Sequence, residues 1–325
     1  MASKHKATKR EVEASPFLRA VELSLLAMFH SVRLLSLILP PSVLDALYGL
    51  SGALVYYAWP SMRRRLESKI SQAMPEISDR RELARIGRQA CSALLKPPLK
   101  LMLMWRHGER FMHELRVEGM ENLEKADATG RGVILVGGHQ GANALRIAVM
   151  SRLGKTYTPV YLYPFDSPVS RYYMAMVTFG QGLGCDPENP VFWTGRDTVN
   201  RVREHLRKGK RVGIDFDVDG NCIVDLFGRP AALTDGIARF ACDTGASIVP
   251  FLLLQGKGAI THRLIFYPPI EYSLSEDRHG DVAAVMGEVA RVGEVMIREA
   301  PEQWMSWFGI KQLWDRAEEL LGDGE

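Results

Sequence analysis

The chain has 325 residues, of which 46% are hydrophobic and 24% charged, so it can bury a sizeable core in one large domain or two small ones. A net charge of only +3 argues against nucleic acid as a partner. The four cysteines, at positions 91, 185, 222 and 242, have no paired spacing, which indicates neither a zinc site nor a disulfide framework.

The N-terminal third of the chain has the pattern of helices beside a membrane. Residues 1–15 are charged and are predicted to form a disordered basic tail. The region 16–115 is predicted to be helical, with helices at 17–39, 43–59, 78–95 and 99–114. Stretches 34–44 and 46–62 carry no charge, and three arginines follow at 63–65, which suits an anionic membrane surface. We expect a membrane-associating hairpin; a single spanning anchor, which needs about 20 apolar residues, and a plain helical cap are the alternatives.

From residue 116 onward, short apolar runs alternate with helical patterns. Strands are predicted at 132–138, 158–163, 211–216, 247–254 and 262–270, and helices at 142–153, 169–179, 197–207, 237–244 and 281–299. Strands that alternate with helices form a mostly parallel sheet covered by helices on both faces. The sequence therefore predicts an α/β domain over residues 116–325.

His139 is the first candidate for chemistry, because it lies where a predicted strand ends and a helix begins. In open α/β sheets, ligands bind outside the carboxyl ends of the strands. The helix N-terminus favours the neutral imidazole that a general base requires. Gly137 and Gly138 would let a substrate carbonyl approach backbone N–H groups, as in an oxyanion site. A histidine that caps the helix or packs in the turn is the alternative.

The sequence around His139 resembles the first signature block of the lysophospholipid acyltransferase superfamily, with its greatest similarity to the late lipid A biosynthesis acyltransferases. Three further blocks agree in order. They are YPFDSP at 163–168, FGRPA at 227–231 with TDGIAR at 234–239, and TGASIVP at 244–250. The ending PEQWMSW at 301–307 is also similar to the family's. The similarity covers nearly the whole chain.

The resemblance implies the fold of a glycerolipid acyltransferase and the transfer of a fatty acyl group to a lipid A-like or glycolipid acceptor. The donor would be a thioester of acyl carrier protein or coenzyme A, with no metal or organic cofactor needed. His139 would be the general base. The implied location is the cytoplasmic face of the inner membrane of a Gram-negative cell, held peripherally or by a single N-terminal anchor.

Two positions depart from the family pattern. The carboxylate expected five residues after His139 is Ala144, and the arginine expected before the proline of the second block is Tyr163. One account is a substitute partner, for which the candidates are the carboxylates of Asp166, Asp215 and Asp217 and the amide of Asn143. A second account is a histidine that acts alone on an acceptor that deprotonates more easily, such as an amine. A third is a non-catalytic lipid-binding protein. Transfer of a different acyl unit, such as an aminoacyl group, is a separate alternative.

The remaining site predictions concern substrate contacts. Arg229, in the third block, is predicted to clamp a phosphate of the acceptor lipid or of the donor's phosphopantetheine. Two tryptophans near the C-terminus are assigned to the core or to a membrane interface. The run of aspartates at 215, 217 and 219 lacks the glutamate that would complete a calcium loop. The predicted substrate-binding set is Gly137, Gly138, Gln140, Tyr163, Phe227, Gly228 and Arg229.

Overall fold

The computed structural model describes residues 16–162, 169–195 and 197–322. Its N-terminal part is helical, with α1 at Pro16–Ile38, α2 at Pro41–Ala58, α3 at Pro60–Ala73, α4 at Arg80–Leu95 and α5 at Pro97–Glu114. Prolines open α2, α3 and α5, because the first helical position needs no backbone N–H donor. The sequence pattern does not predict α3, since Pro60 looks like the end of an apolar run. The predicted tail at 1–15 lies outside the described residues.

The rest of the described chain alternates strands with helices. The strands are β1 Arg116–Glu118, β2 Val133–Gly137, β3 Thr158–Tyr161, β4 Phe192–Trp193, β5 Arg211–Asp215, β6 Asp219–Asp225, β7 Pro230–Leu233, β8 Ser247–Gln255 and β9 His262–Phe266. The helices are α6 Met120–Ala128, α7 Arg146–Arg152, α8 Ser170–Leu183, α9 Thr198–Arg207, α10 Gly236–Thr244, α11 Arg278–Glu299 and α12 Ile310–Gly322. Every strand and helix predicted from the pattern has a counterpart here.

Within the described ranges, seven strands form one sheet in the order β1-β9-β8-β2-β5-β3-β4. All neighbours in it are parallel except β8 and β9. The hairpin of β6 and β7 forms a separate antiparallel pair. The predicted mostly parallel sheet flanked by helices is confirmed. It places the carboxyl ends of β2 and β5 side by side.

Both faces of the sheet are buried, as expected of a parallel sheet. Alternate residues of β2 enter two different apolar clusters: Ile134 and Val136 face α4 and α9 to α12, whereas Val133 and Leu135 face α1, α2, α5 and α7. The same period of two divides β8 between the clusters. The N-terminal helices thus share a core with the sheet, and the division into regions at residue 115 stays a prediction.

Helix α1 is fastened to the rest of the protein by polar and aromatic contacts. Its buried Glu22 accepts hydrogen bonds from the backbone N–H and the guanidinium of Arg171, at the start of α8, at 2.8 and 2.7 Å. Two turns further on, Phe29 packs edge-on against Phe179, with the ring centroids 5.8 Å apart. Helix α1 is also the described helix that is long and apolar enough to cross a membrane, by length and composition.

Candidate active site

His139 and Asp217 meet because β2 and β5 are parallel neighbours in register. Gly137, the last residue of β2, pairs with Asp215, the last residue of β5. Two residues beyond each strand end, the chain reaches His139 and Asp217. The side chains are 78 residues apart in sequence, yet the carboxylate Oδ1 lies 2.9 Å from the imidazole Nδ1. Asp217 was one of four candidates for the missing partner.

The contact orients the imidazole in the manner of a catalytic histidine. The backbone N–H of His139 also donates to both oxygens of Asp217, at 3.1 and 3.0 Å. A proton on Nδ1 that is donated to the carboxylate leaves Nε2 as the nitrogen that can accept a proton. The side chain of His139 is 44% exposed, whereas that of Asp217 is completely buried. The site thus combines a partly exposed imidazole with a fully buried carboxylate.

The buried carboxylate of Asp217 is satisfied by the C-terminal segment of the chain. Its Oδ2 accepts hydrogen bonds from the indole Nε1–H of Trp304 at 2.8 Å and from the hydroxyl of Ser306 at 2.6 Å. Burial alone would raise the pKa of this carboxyl group, but the charge and hydrogen bonds of His139, together with the Ser306 hydroxyl, hold that pKa well below its usual range. Trp304 and Trp307 are fully buried, so the core assignment holds for both.

Asp215 faces the other imidazole nitrogen. Its Oδ2 lies 4.0 Å from Nε2 of His139, while its Oδ1 accepts a hydrogen bond of 2.6 Å from the guanidinium of Arg146. Partial burial would lower the pKa of His139, but the charges of Asp217 and Asp215 outweigh it and raise that pKa to about 9. The imidazole of His139 therefore binds its proton more strongly than an ordinary histidine does.

Arg146 was missed by the sequence analysis, although it lies on the predicted helix that follows His139. Its side chain is only 8% exposed, and its guanidinium lies 5.1 Å from the ring centroid of Phe251. A buried arginine requires a carboxylate, and Asp215 supplies it. The sequence signal that could have found it is Asp215, a carboxylate at the end of a predicted strand whose negative charge requires a basic partner.

The two glycines before His139 make room for these side chains. A Cβ atom on Gly137 would lie 1.5 Å from Nη1 of Arg146, and one on Gly138 would lie 2.9 Å from the ring of Phe216. Larger residues here would displace the pair of Arg146 and Asp215 or the core beneath it. Packing accounts for both glycines; their predicted role in substrate binding remains a prediction.

Two of the predicted site residues make hydrogen bonds to protein groups other than His139. The buried amide of Gln140 donates to the carbonyls of Met296 and Ala300, at 3.0 and 3.1 Å, and so ties the loop to the end of α11. Gln140 is only 1% exposed, and its predicted role in substrate binding remains a prediction. The side-chain oxygen of Asn143 accepts from the backbone N–H of Ala144 at 2.9 Å. The structure thus pairs His139 with Asp217, not with Asn143.

The third signature block forms the turn between β6 and β7. Phe227 has a positive φ of 60°, and its ring stacks on Trp307 with the centroids 6.0 Å apart. It also contacts Trp304, the donor to Asp217, with a centroid distance of 6.2 Å. Gly228, with φ of 70°, donates its N–H to Asp225 within the turn at 2.9 Å. This block therefore supports the tryptophan that donates to the carboxylate of Asp217.

Arg229 of the same block is engaged by protein groups. Its guanidinium donates to Gln72 of α3 at 2.9 Å, pairs with Glu318 of α12 at 3.2 Å and lies 4.3 Å from the ring centroid of Trp314. These contacts fasten the hairpin to two helices. A phosphate clamp would have to compete with them, and that role remains a prediction. Tyr163 and Asp166, the predicted site residues of the second block, lie outside the described residues.

Within the described ranges, no group of three or more His, Cys, Asp or Glu side chains is arranged to hold a metal ion. The aspartates at 215 and 217 are engaged by Arg146 and His139, which leaves them unsuited to a shared calcium ion. The chemistry that this arrangement can perform is proton transfer by an oriented imidazole.

Comparison with known proteins places this geometry in a family. A model of the bacterial lipid A biosynthesis acyltransferases matches residues 18–315. The chain belongs to this family. The lipid A biosynthesis lauroyltransferase of Escherichia coli (strain K12) is 30% identical over 196 residues, which cover 58% of this chain. The matched part spans 59% of that relative, less than two thirds of its length.

Membership of this acyltransferase family confirms the resemblance found in the sequence. This member of the family carries Ala144 at the position of the local carboxylate. The carboxylate that contacts the imidazole belongs to Asp217, two residues beyond the end of the adjacent strand β5, and its role as the substitute partner remains a prediction. The altered motif therefore coexists with an imidazole that has a carboxylate partner.

Proposed function

We propose that the protein transfers a fatty acyl group from an acyl thioester, carried by acyl carrier protein or coenzyme A, to a lipid A-like or glycolipid acceptor. His139 would be the general base. The observation that carries this proposal is the 2.9 Å contact between its Nδ1 and Asp217, which leaves Nε2 as the nitrogen that can accept a proton. Asp217 would keep the tautomer and stabilise the imidazolium.

In the proposed reaction, Nε2 removes the proton of the acceptor hydroxyl as its oxygen attacks the thioester carbonyl. The tetrahedral intermediate then collapses, the carbon–sulfur bond breaks, and the thiolate takes the proton from the imidazolium. An oxyanion donor in this loop would have to be the N–H of Gly138, because those of His139 and Gln140 are bonded to Asp217 and to the Gly138 carbonyl.

We further propose that the N-terminal helices face the cytoplasmic surface of the inner membrane. Large apolar side chains are exposed along α1 and α2, among them Ile38 at 79%, Leu50 at 68% and Trp59 at 62%. A soluble surface seldom exposes so many together. The arginines at 63–65 follow at the start of α3, where they would meet anionic headgroups.

The non-catalytic alternative was motivated by the missing carboxylate at Ala144, and the contact with Asp217 removes that motive. Transfer of an aminoacyl unit stays open as an outcome of the test. The test is lipid mass spectrometry of cells that lack the gene, complemented with wild type, His139→Ala or His279→Ala. His279 is an exposed histidine on α11 and serves as the matched control.

We expect wild type and His279→Ala to restore a lipid heavier by one fatty acyl group, and His139→Ala to restore none at equal protein abundance. If the restored lipid is instead heavier by one aminoacyl group, the transferred group is aminoacyl and the fatty acyl part of the proposal is wrong. Full restoration by His139→Ala would show that the catalytic assignment is wrong.

A further inference from the structure

Lys100 is a lysine in an unusual place. It lies in the first turn of α5, where all residues from Pro98 to Met104 are buried, and it is itself only 5% exposed. Lysine is almost never fully buried, because its ammonium loses hydration. Burial and the nearby charge of Lys96 lower the pKa of Lys100 to about 7. The amine remains a hydrogen-bond donor in both protonation states.

The Lys100 amine holds the loop that carries His139. Its Nζ donates to the carbonyl of Gly141, two residues after His139, at 3.1 Å. The N–H of Gly141 donates to the carbonyl of Gln303 at 3.0 Å, so this residue is held on both sides. Its φ of 66° and the carbonyl of Leu253, 2.3 Å from where a Cβ would lie, require glycine here.

A polar network links the two hydrogen bonds of Gly141 to the N-terminal helices. Asp45 of α2 pairs with Lys96 at 2.7 Å and accepts a hydrogen bond from Gln255 at 3.0 Å. Gln255 and Gln303 exchange two hydrogen bonds of 2.9 Å between side chain and backbone. The carboxylate of Asp45 is held by Lys96 and Gln255, and the Lys100 amine donates to the loop carbonyl.

We propose that Lys100 is a positioning residue that sets the orientation of the His139 loop through the Gly141 carbonyl. This inference rests on the proposed function of His139 as the base. A displacement of the base by about 1 Å can lower the rate by about 100-fold without changing substrate affinity. The buried amine thereby gives the proposed membrane-facing helices a direct part in organising the site.

The test compares purified Lys100→Met and Lys100→Gln with wild type, in detergent. Release of thiol from fatty acyl coenzyme A is followed with a lipid extract of the deletion strain as acceptor. Lys155→Met is the matched control, since Lys155 is a partly buried lysine that pairs with Asp127 at 3.5 Å, before the start of β3. His139→Ala is measured in parallel.

For Lys100→Met we expect kcat to fall by about 10- to 100-fold with KM unchanged. The melting temperature should stay near that of wild type, because loss of the hydrogen bond is offset by removal of a buried amine. A purely structural lysine would lower the melting temperature and leave the kcat of the folded protein intact. Lys100→Gln, whose amide is one bond shorter, should give an intermediate kcat.

Wild-type kcat in whichever of the two Lys100 variants folds would overturn the positioning role. If His139→Ala keeps its activity, the proposed function itself fails, whatever the Lys100 variants do. An inactive His139→Ala beside a fully active Lys100→Met would reject the positioning role alone.

Discussion

The replacement of Asp217 by asparagine tests the site most directly. Two donors, from Trp304 and Ser306, point at Oδ2, and the His139 ring points at Oδ1. An asparagine has one oxygen for these three donors. If that oxygen faces the indole and the hydroxyl, the amide N–H₂ faces Nδ1 and forces the proton onto Nε2. The histidine would then hold the wrong tautomer for a base.

Loss of the tautomer control in a triad costs about 10⁴ in kcat, or about 5.4 kcal/mol at 1.36 kcal/mol for each factor of ten. We expect a fall of this order for Asp217→Asn, measured as thiol release from acyl coenzyme A. Ser306→Ala, which removes one donor but keeps the carboxylate, should lose far less. A folded Asp217→Asn within tenfold of wild-type kcat would refute the assignment of Asp217 as the partner.

Three further predictions concern the same groups. Because the base must be neutral, kcat/KM should fall as the pH drops below the raised pKa of His139, about 9, and Asp215→Asn should move this limb to lower pH; an unmoved limb would argue against the influence of Asp215. Ala144→Glu should neither raise kcat nor rescue Asp217→Asn, since Nδ1 is already occupied; a rescue in the same assay would mean that both positions reach the ring. Trp304→Phe should reduce the free energy of unfolding in urea by about 1.5–3 kcal/mol, the contribution of a hydrogen bond to a charged group, and an unchanged midpoint would contradict this.

The sheet was predictable because its central strands are continuous apolar runs that end in glycine or aspartate. The same pattern placed His139 and Asp217 at strand ends. It could not choose among four candidate partners, because the order of strands decides which ends are adjacent. The choice required the register of Gly137 with Asp215.

Other site residues could not be predicted because their contacts are made between distant segments. Trp304 meets Asp217 across 87 positions, and Lys100 meets Gly141 across 41. Trp304 lies in the ending at 301–307 that resembles the family's, but that resemblance does not reveal its partner, and a buried lysine contradicts the usual preference of that residue for the surface. Gln140 is a similar case: its place in a signature block predicts substrate contact, and the sequence gives no sign that its amide donates to a carbonyl of α11.

The clasp between Glu22 and Arg171 bears on how the protein can be prepared. Deletion of an apolar N-terminal helix is a common route to a water-soluble form of a membrane-associated protein. Removal of α1 from this protein would leave Arg171 without the carboxylate of Glu22 and Phe179 without the ring of Phe29. It would also expose apolar surface on α5 and α8. The shortened protein would lose the exposed apolar side chains of α1 but would expose the apolar surface of α5 and α8 instead. Purification with α1 intact, in detergent or a lipid nanodisc, is the sounder course.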